Sequence, residues 1–169
     1  MRIALIDSVH PVLAERLVDA GHEVNALHQV DDTGLAAALM GMEGIVVRSR
    51  RLDADLLSKL SGLRFIARVG SGLENIDTAW CLKNDVRVLN SPEGNRDGVG
   101  EACVMMLLAL MKALVRANNQ VHHGLWLREE NRGTDLQGKT VGIDGYGQMG
   151  SAFAEKLRGF GVRVLAHDK

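Results

Sequence analysis

Over the first ninety residues, short apolar runs alternate with stretches whose apolar positions recur at helical spacing. The runs Arg2 to Ile6, Glu23 to Ala26, Gly44 to Val47, Arg64 to Ala67 and Arg87 to Leu89 predict strands. Pro11 to Ala20, Thr33 to Met40, Asp53 to Leu60 and Ile76 to Asn84 predict helices between them. Parallel strands need long crossovers, and a helix is the usual one, so this alternation predicts an α/β domain with an open parallel sheet of flavodoxin-like kind. The pattern stops at Asn90-Ser-Pro-Glu-Gly-Asn95, where Pro and Gly mark a connection and a hinge. Residues 1–94 therefore read as one domain and 95–169 as the beginning of another.

Beyond the hinge one long helix is predicted from Asp97 to Asn119. Its apolar run, Ala102 to Met111, lies between Glu101 and Lys112 and falls short of the roughly 18 residues that span a bilayer. It reads as a buried helix or an interface helix, with Met105, Met106 and Met111 among its apolar residues. A mixed, polar stretch from Gly124 to Gly138 follows around Trp126.

The richest segment is Val141-Gly-Ile-Asp-Gly-Tyr-Gly-Gln-Met-Gly150, followed by a helical pattern and by Val162-Arg-Val-Leu-Ala-His-Asp168. Strand, glycine turn, helix, strand and terminal acid form the first unit of a Rossmann dinucleotide-binding domain. Gly145 suits the tight turn, Gly147 lets backbone approach a pyrophosphate, and Gly150 lets helix pack on strand. The helix N-terminus offers free N–H groups and the positive end of its dipole. Phe153, Leu157 and Phe160 predict the stripe that covers the sheet, and Gly159 with Gly161 predicts the stop. Asp168 stands where a carboxylate accepts hydrogen bonds from the adenosine ribose. Asp144 breaks the pattern by placing a negative charge just before the first glycine. Either it points away from the ligand and is hydrated or capped, or it weakens binding.

Composition narrows the partners. The chain has 169 residues, 46% of them hydrophobic, enough for a buried core. Its net charge of −1 supplies no general attraction to nucleic acid. The run Met1 to Ile6 is too short for a signal peptide, and Cys81 and Cys103 read as reduced thiols, which together predict a cytoplasmic protein. His10, His22, His28, His122 and His123 lack partners at metal-ligand spacing, so no metal site is expected.

The blocks Val47-Arg-Ser-Arg50, Ala67-Arg-Val-Gly-Ser-Gly-Leu-Glu-Asn-Ile-Asp77, Asn90-Ser-Pro-Glu-Gly-Asn95 and Gly145 to Gly150 stand in a telling order. It is the order found in the D-isomer-specific 2-hydroxyacid dehydrogenases, which the chain resembles from Met1 to Lys169, most of all in the branch acting on phosphoglycerate. The resemblance implies that the first ninety or so residues form most of a substrate domain. It further implies an NAD-binding domain after the hinge and a returning segment that completes the first domain. By the same likeness Val69, Gly70, Ser71 and Gly72 hold the substrate carboxylate, and Ser71 also touches the cofactor. Arg48 and Arg50 receive the phosphate end, while Arg51 reads as solvated surface. Gln148 and Met149 meet the pyrophosphate with their backbone, and Asp168 as ribose acid favours NAD. Lys169 beside it is a cation able to accept a 2'-phosphate. A homodimer built on the helix and the arm around Trp126 is implied as well.

The implied reaction is oxidation of 3-phosphoglycerate to 3-phosphohydroxypyruvate, a step of serine biosynthesis. The family's catalytic arginine, glutamate and histidine come from motifs expected after Lys169. No residue of this chain is assigned those roles, and the chain alone is expected to be inactive. The alternatives are a non-catalytic nucleotide-binding or dimerising module from a shortened gene, and a flavodoxin-like binding domain with a vestigial dinucleotide unit.

Overall fold

The computed structural model describes every residue from Met1 to Lys169. They fall into two compact units, Met1–Pro92 and Glu93–Lys169. In the first, β1 (Arg2–Leu5), β2 (Glu23–Ala26), β3 (Gly44–Val47), β4 (Phe65–Arg68) and β5 (Arg87–Asn90) form one parallel sheet in the order β2-β1-β3-β4-β5. This is the flavodoxin-like order that the alternation predicts. The crossovers are α1 (Pro11–Asp19), α2 (Asp32–Ala38), α3 (Ala54–Leu57) and α4 (Thr78–Lys83).

Side chains alternate across a strand, and the core divides accordingly. Ile3, Leu5 and Val46 pack with Leu13 and Leu17 of α1. Ala4, Ile6, Ile45, Val47 and Ile66 face the other way, onto Leu35, Leu57 and Cys81 of α2 to α4 and onto Leu39, which caps α2. Central β3 is buried along its whole length because helices cover both of its faces. Gly44 opens it without a side chain because the Phe65 ring lies there, 2.2 Å from where a Cβ would stand.

Three helices start on aspartate caps. Asp31 accepts from the Gly34 N–H at 2.8 Å, Asp53 from Leu56 at 3.0 Å and Asp77 from Trp80 at 2.8 Å. The predicted helices that began at Asp53 and at Ile76 therefore begin one residue after the cap, at Ala54 and Thr78. At the α1 start His10 does the same work, its Nδ1 3.3 Å from the Val12 nitrogen.

The second unit comprises α5 (Arg96–Met111), α6 (Leu114–His122), β6 (Thr140–Asp144), α7 (Gln148–Leu157), a 3-10 turn (Arg158–Phe160) and β7 (Arg163–His167). β6 and β7 pair in parallel from Thr140 with Arg163 to Asp144 with His167. The predicted single helix from Asp97 to Asn119 is in fact two, bent by 63°. Ala113 takes the left-handed conformation at φ 51° between them. The cause is distant in sequence: the Thr134 N–H donates to Met111 O at 2.8 Å, Lys112 pairs with Asp135, and Gly133 sits against the Lys112 backbone. No single helix is long and apolar enough to cross a membrane.

Two further expectations change. Of the two readings of Ala102 to Met111, the buried helix does not hold and the interface helix stays open, since Met105, Met106 and Leu110 are exposed and the only buried residue of α5 is Gly100. On α7 the buried residues are Ala152, Ala154 and Leu157, while Phe153 and Phe160 are half-buried. Helix packing explains the shift: a Cβ at Gly100 would come within 3.1 Å of the Ala152 backbone, so α5 lies tight on α7 through small residues. Arg96 to Glu155 at 3.1 Å and Lys156 to Asp97 at 3.3 Å flank that contact.

A left-handed alanine costs roughly 1 kcal/mol or more, a cost that glycine largely avoids. Ala113→Gly should therefore raise stability by about 0.5 kcal/mol in urea unfolding followed by circular dichroism, after allowance for the freer unfolded chain. A loss of about 1 kcal/mol, the cost of glycine inside a helix, would restore the continuous helix.

Candidate functional site

In the second unit the predicted dinucleotide segment is assembled at the C-terminal ends of β6 and β7. Gly145 turns at φ 88°, a conformation open to glycine, and its N–H donates to His167 O at 2.8 Å. Gly147 is the extended N-cap of α7, with open space where a Cβ would project. Gly150 differs: a Cβ there would stand 2.0 Å from the Gly145 carbonyl oxygen and 3.2 Å from Ile143 Cγ2. The third glycine is thus the point where α7 presses on its own turn.

The N-terminus of α7 has no side-chain cap and no acid in its first turn. The N–H groups of Gln148, Met149 and Gly150 have no intrahelical acceptor by position, and the dipole adds positive potential there. Asp168 is drawn to the same turn. Its Oδ2 accepts from the Tyr146 N–H at 2.9 Å and its Oδ1 from the Lys169 N–H at 2.9 Å. Asp144 turns to His167, whose Nδ1 lies 3.1 Å from Asp144 Oδ1, and both side chains are well exposed.

In the first unit the predicted substrate residues lie in loops after β3 and β4, again at the C-terminal edge of the sheet. Asp7 organises the first loop by accepting N–H bonds from Arg48 at 2.6 Å, Ser49 at 2.9 Å and Arg50 at 3.2 Å. Burial pushes the Asp7 carboxyl up, but the bonds from Ser49, Arg48 and Arg50 and the charge of Arg50 outweigh it and hold the carboxyl below its ordinary range. Such a group adds stability above its unfolded pKa and loses it as pH falls through the folded one. The loop is thus locked at neutral pH and loosens in acid.

The two candidate arginines part company here. Arg50 directs its Nη2 to Val30 O and, at 3.5 Å, to Asp32, while its buried Nη1 has no partner. Arg48 is exposed and its side chain makes no ion pair or hydrogen bond. In the second loop Val69 donates its N–H to Val47 O at 2.8 Å and Gly70 to Arg68 O at 3.0 Å. Ser71 and Gly72 donate to no backbone acceptor. The loop is held from behind by Ser91 N–H to Gly70 O at 2.9 Å and Asn90 Nδ2 to Ser71 O at 2.7 Å.

The motif reading passed over Arg68, the last residue of β4. Its side chain is 17% exposed, and it pairs with Glu74 at 3.5 Å while its buried Nε has no partner. It lies so close over Gly70, at φ 149°, that a Cβ there would meet its Nη1 at 2.1 Å. The available signal was Gly70 itself, a residue without a side chain two positions beyond a cation at a strand end. Arg68, Val69 and Asn90 border a groove of about 520 Å³ beside α1.

Residues 3–161 match the family model described as D-isomer specific 2-hydroxyacid dehydrogenase, catalytic domain. The chain belongs to that family. A member named D-3-phosphoglycerate dehydrogenase from Rattus norvegicus is 32% identical over 168 residues, covering 99% of this chain and 32% of its own length. The hydroxypyruvate reductase of Thermotoga maritima is 32% identical over 147 residues, covering 86% of this chain and 48% of its own length. The TT0316 protein of Thermus thermophilus superposes with a TM-score of 0.83 at 26% identity, over 99% of this chain and 56% of that one. The NAD-dependent formate dehydrogenase of Staphylococcus aureus, solved in complex with NAD, gives 0.82 at 26% identity over 99% and 56%. The chain therefore spans about a third of the phosphoglycerate dehydrogenase and somewhat more than half of these two solved structures.

Two of the three glycines of the turn predict different outcomes. Gly150→Ala should lower stability by about 2–4 kcal/mol, because backbone blocks the added carbon. Gly147→Ala, with φ −72° and open space, should fold as well as the parent in the same denaturation experiment. Equal stability of the two variants would remove the close contact between α7 and its turn.

Proposed function

We propose that this chain carries the dinucleotide-binding turn and most of the substrate-holding loops of an NAD-dependent oxidoreductase acting on D-2-hydroxy acids, with 3-phosphoglycerate as the substrate. One observation carries the reading: the same turn joins an uncapped helix N-terminus, open backbone at Gly147 and the Asp168 carboxylate. Those are the two needs of an adenosine diphosphate, donors for its phosphates and an acceptor for its ribose.

When bound, NAD takes the hydride from the carbon that bears the substrate hydroxyl. The residues of this chain bind and orient. Gln148 and Met149 hold the diphosphate through backbone N–H groups. Asp168 accepts from the ribose hydroxyls, and its negative charge disfavours a 2'-phosphate, which selects NAD over NADP. Ser71 and Gly72 donate to the substrate carboxylate. Arg48 and Arg68 receive its phosphate, because guanidinium pairs with phosphate through parallel N–H bonds. Arg50 holds the loop that presents Arg48. The proton-transfer residues of the family have no counterpart among residues 1–169, which is why the chain alone is assigned binding without turnover.

The names of the relatives support the substrate class, since phosphoglycerate dehydrogenase and hydroxypyruvate reductase both act on small acids with an oxygen at C2. A homodimer is part of the same proposal. Leu110 at 78%, Val115 at 76% and Trp126 at 78% are exposed on α5, α6 and the following arm. The arm is nevertheless ordered: Arg116 donates to Asn131 Oδ1 at 2.9 Å, and Asn131 donates to Leu127 O at 3.0 Å. A fixed apolar surface of this kind suits a second copy better than water.

Fluorescence titration of the 169-residue chain should show NADH binding, favoured over NADPH, that falls about tenfold or more in Gly147→Ala and Asp168→Asn. Calorimetry with 3-phosphoglycerate should show a similar loss in Arg48→Gln. Absence of NADH binding in the parent would overturn the site, and turnover by the parent would overturn the division between binding and chemistry. For the dimer, sedimentation should give twice the chain mass, reverting to the monomer in Leu110→Asp/Val115→Asp. A parent that stays monomeric up to about 100 µM would sink it.

A further inference from the structure

The family fingerprint does not account for the acid that precedes it or for the histidine opposite. Asp144 is the last residue of β6 and His167 the last of β7, and the two are directly paired partners. Their side chains meet at 3.1 Å on the face of the strand pair away from α7. Three links then join the turn to the end of β7: Asp144 to His167 by side chains, Gly145 N–H to His167 O at 2.8 Å, and Tyr146 N–H to Asp168 Oδ2 at 2.9 Å. The last of these is the acid assigned to the ribose.

We propose that Asp144 and His167 are a proton-dependent positioning pair that sets the affinity of the adjacent turn for a dinucleotide, a proposal that rests on the dinucleotide reading above. With the imidazole charged, His167 neutralises Asp144 and keeps the end of β7 against the turn, so Asp168 is held in place. With the imidazole neutral, Asp144 adds a second uncompensated carboxylate to that of Asp168 at the strand ends next to the turn. Affinity then falls through repulsion, which acts over several ångströms in water at ordinary salt.

The charged groups around His167 are few. β6 contributes Asp144. β7 contributes Arg163, four residues back on the same face, and the chain continues into Asp168 and Lys169. α7 packs on the opposite face and sends Glu155 to Arg96 and Lys156 to Asp97 and Glu101 instead. Both side chains are well exposed, which limits the pair to the modest coupling of surface ion pairs.

The test is NADH titration of the 169-residue chain at several values between about pH 5.5 and pH 8, with circular dichroism at each to verify folding. The parent should bind about two- to fivefold more tightly at the acid end, the size of effect a surface pair supports. Gln at 167 can still donate a hydrogen bond but cannot gain a proton. His167→Gln should therefore lose the pH slope and keep an affinity near the parent's alkaline value. Asp144→Asn should flatten the profile as well, with an affinity near the parent's acid value because the unwanted charge is gone. A parent profile that is flat, or a His167→Gln profile as steep as the parent's, overturns the pair while leaving the dinucleotide site standing. No NADH binding at any pH overturns the site, and the pair with it.

Discussion

Central strand β3 is covered on both faces: Ile45 and Val47 press on the side of α2 to α4, and Val46 on the side of α1. A parallel strand so placed cannot carry polar side chains, since burying one without a partner costs several kcal/mol in the worst case. Chemistry is therefore driven to the strand ends. Arg48 follows β3, Arg68 ends β4, and Ser71 and Gly72 follow it, all at the C-terminal edge where the loops are free to differ. The second unit repeats the arrangement, with Gly145 and Asp168 just beyond β6 and β7.

Loops that must be free to bind must also be held still, and polar bonds hold them. Asp7 spends its carboxylate on three backbone N–H groups of the loop after β3, and Asn75 Nδ2 reaches Arg50 O from the far side at 2.8 Å. Arg50 spends its charge on Val30 O and Asp32. These contacts leave Arg48 uncommitted, as Arg51 also is at the far end of the loop. After β4 the same economy applies, with Val69 and Gly70 donating to Val47 O and Arg68 O and Ser71 and Gly72 donating to no backbone acceptor. A single motif therefore contains both residues that brace the loop and residues left free of such bonds, and residue type does not separate them.

Much of the fold was legible from spacing. The five strands fall within a residue or two of the apolar runs, because period-two burial imposes a local pattern. The glycine turn was legible because each glycine answers a separate steric need, and the contact of Gly150 with Gly145 O is the tightest of these. The helix starts expected at Asp53 and Ile76 fell one and two residues early, because Asp53 and Asp77 are caps whose side chains accept from the third residue on and do not open the helices. The bend at Ala113 was not legible at all. Lys112, Ala113 and Leu114 are good helix formers, and what breaks them is a segment some twenty residues later that competes for the carbonyl of Met111.

By itself the sequence determined the elements that depend on neighbours in the chain: strand period, helix caps, glycine conformations and the order of motifs that marks the family. Tertiary structure alone decided what depends on groups meeting from afar. It placed Gly100 against Ala152, turned Arg50 inward and left Arg48 out, and brought Asp144 to His167 across the strand pair. The reason is one of range. Backbone sterics and local hydrogen bonds act over a few residues and leave a periodic trace. The pairing of charges and the closeness of helices depend on distances that no spacing in the chain encodes.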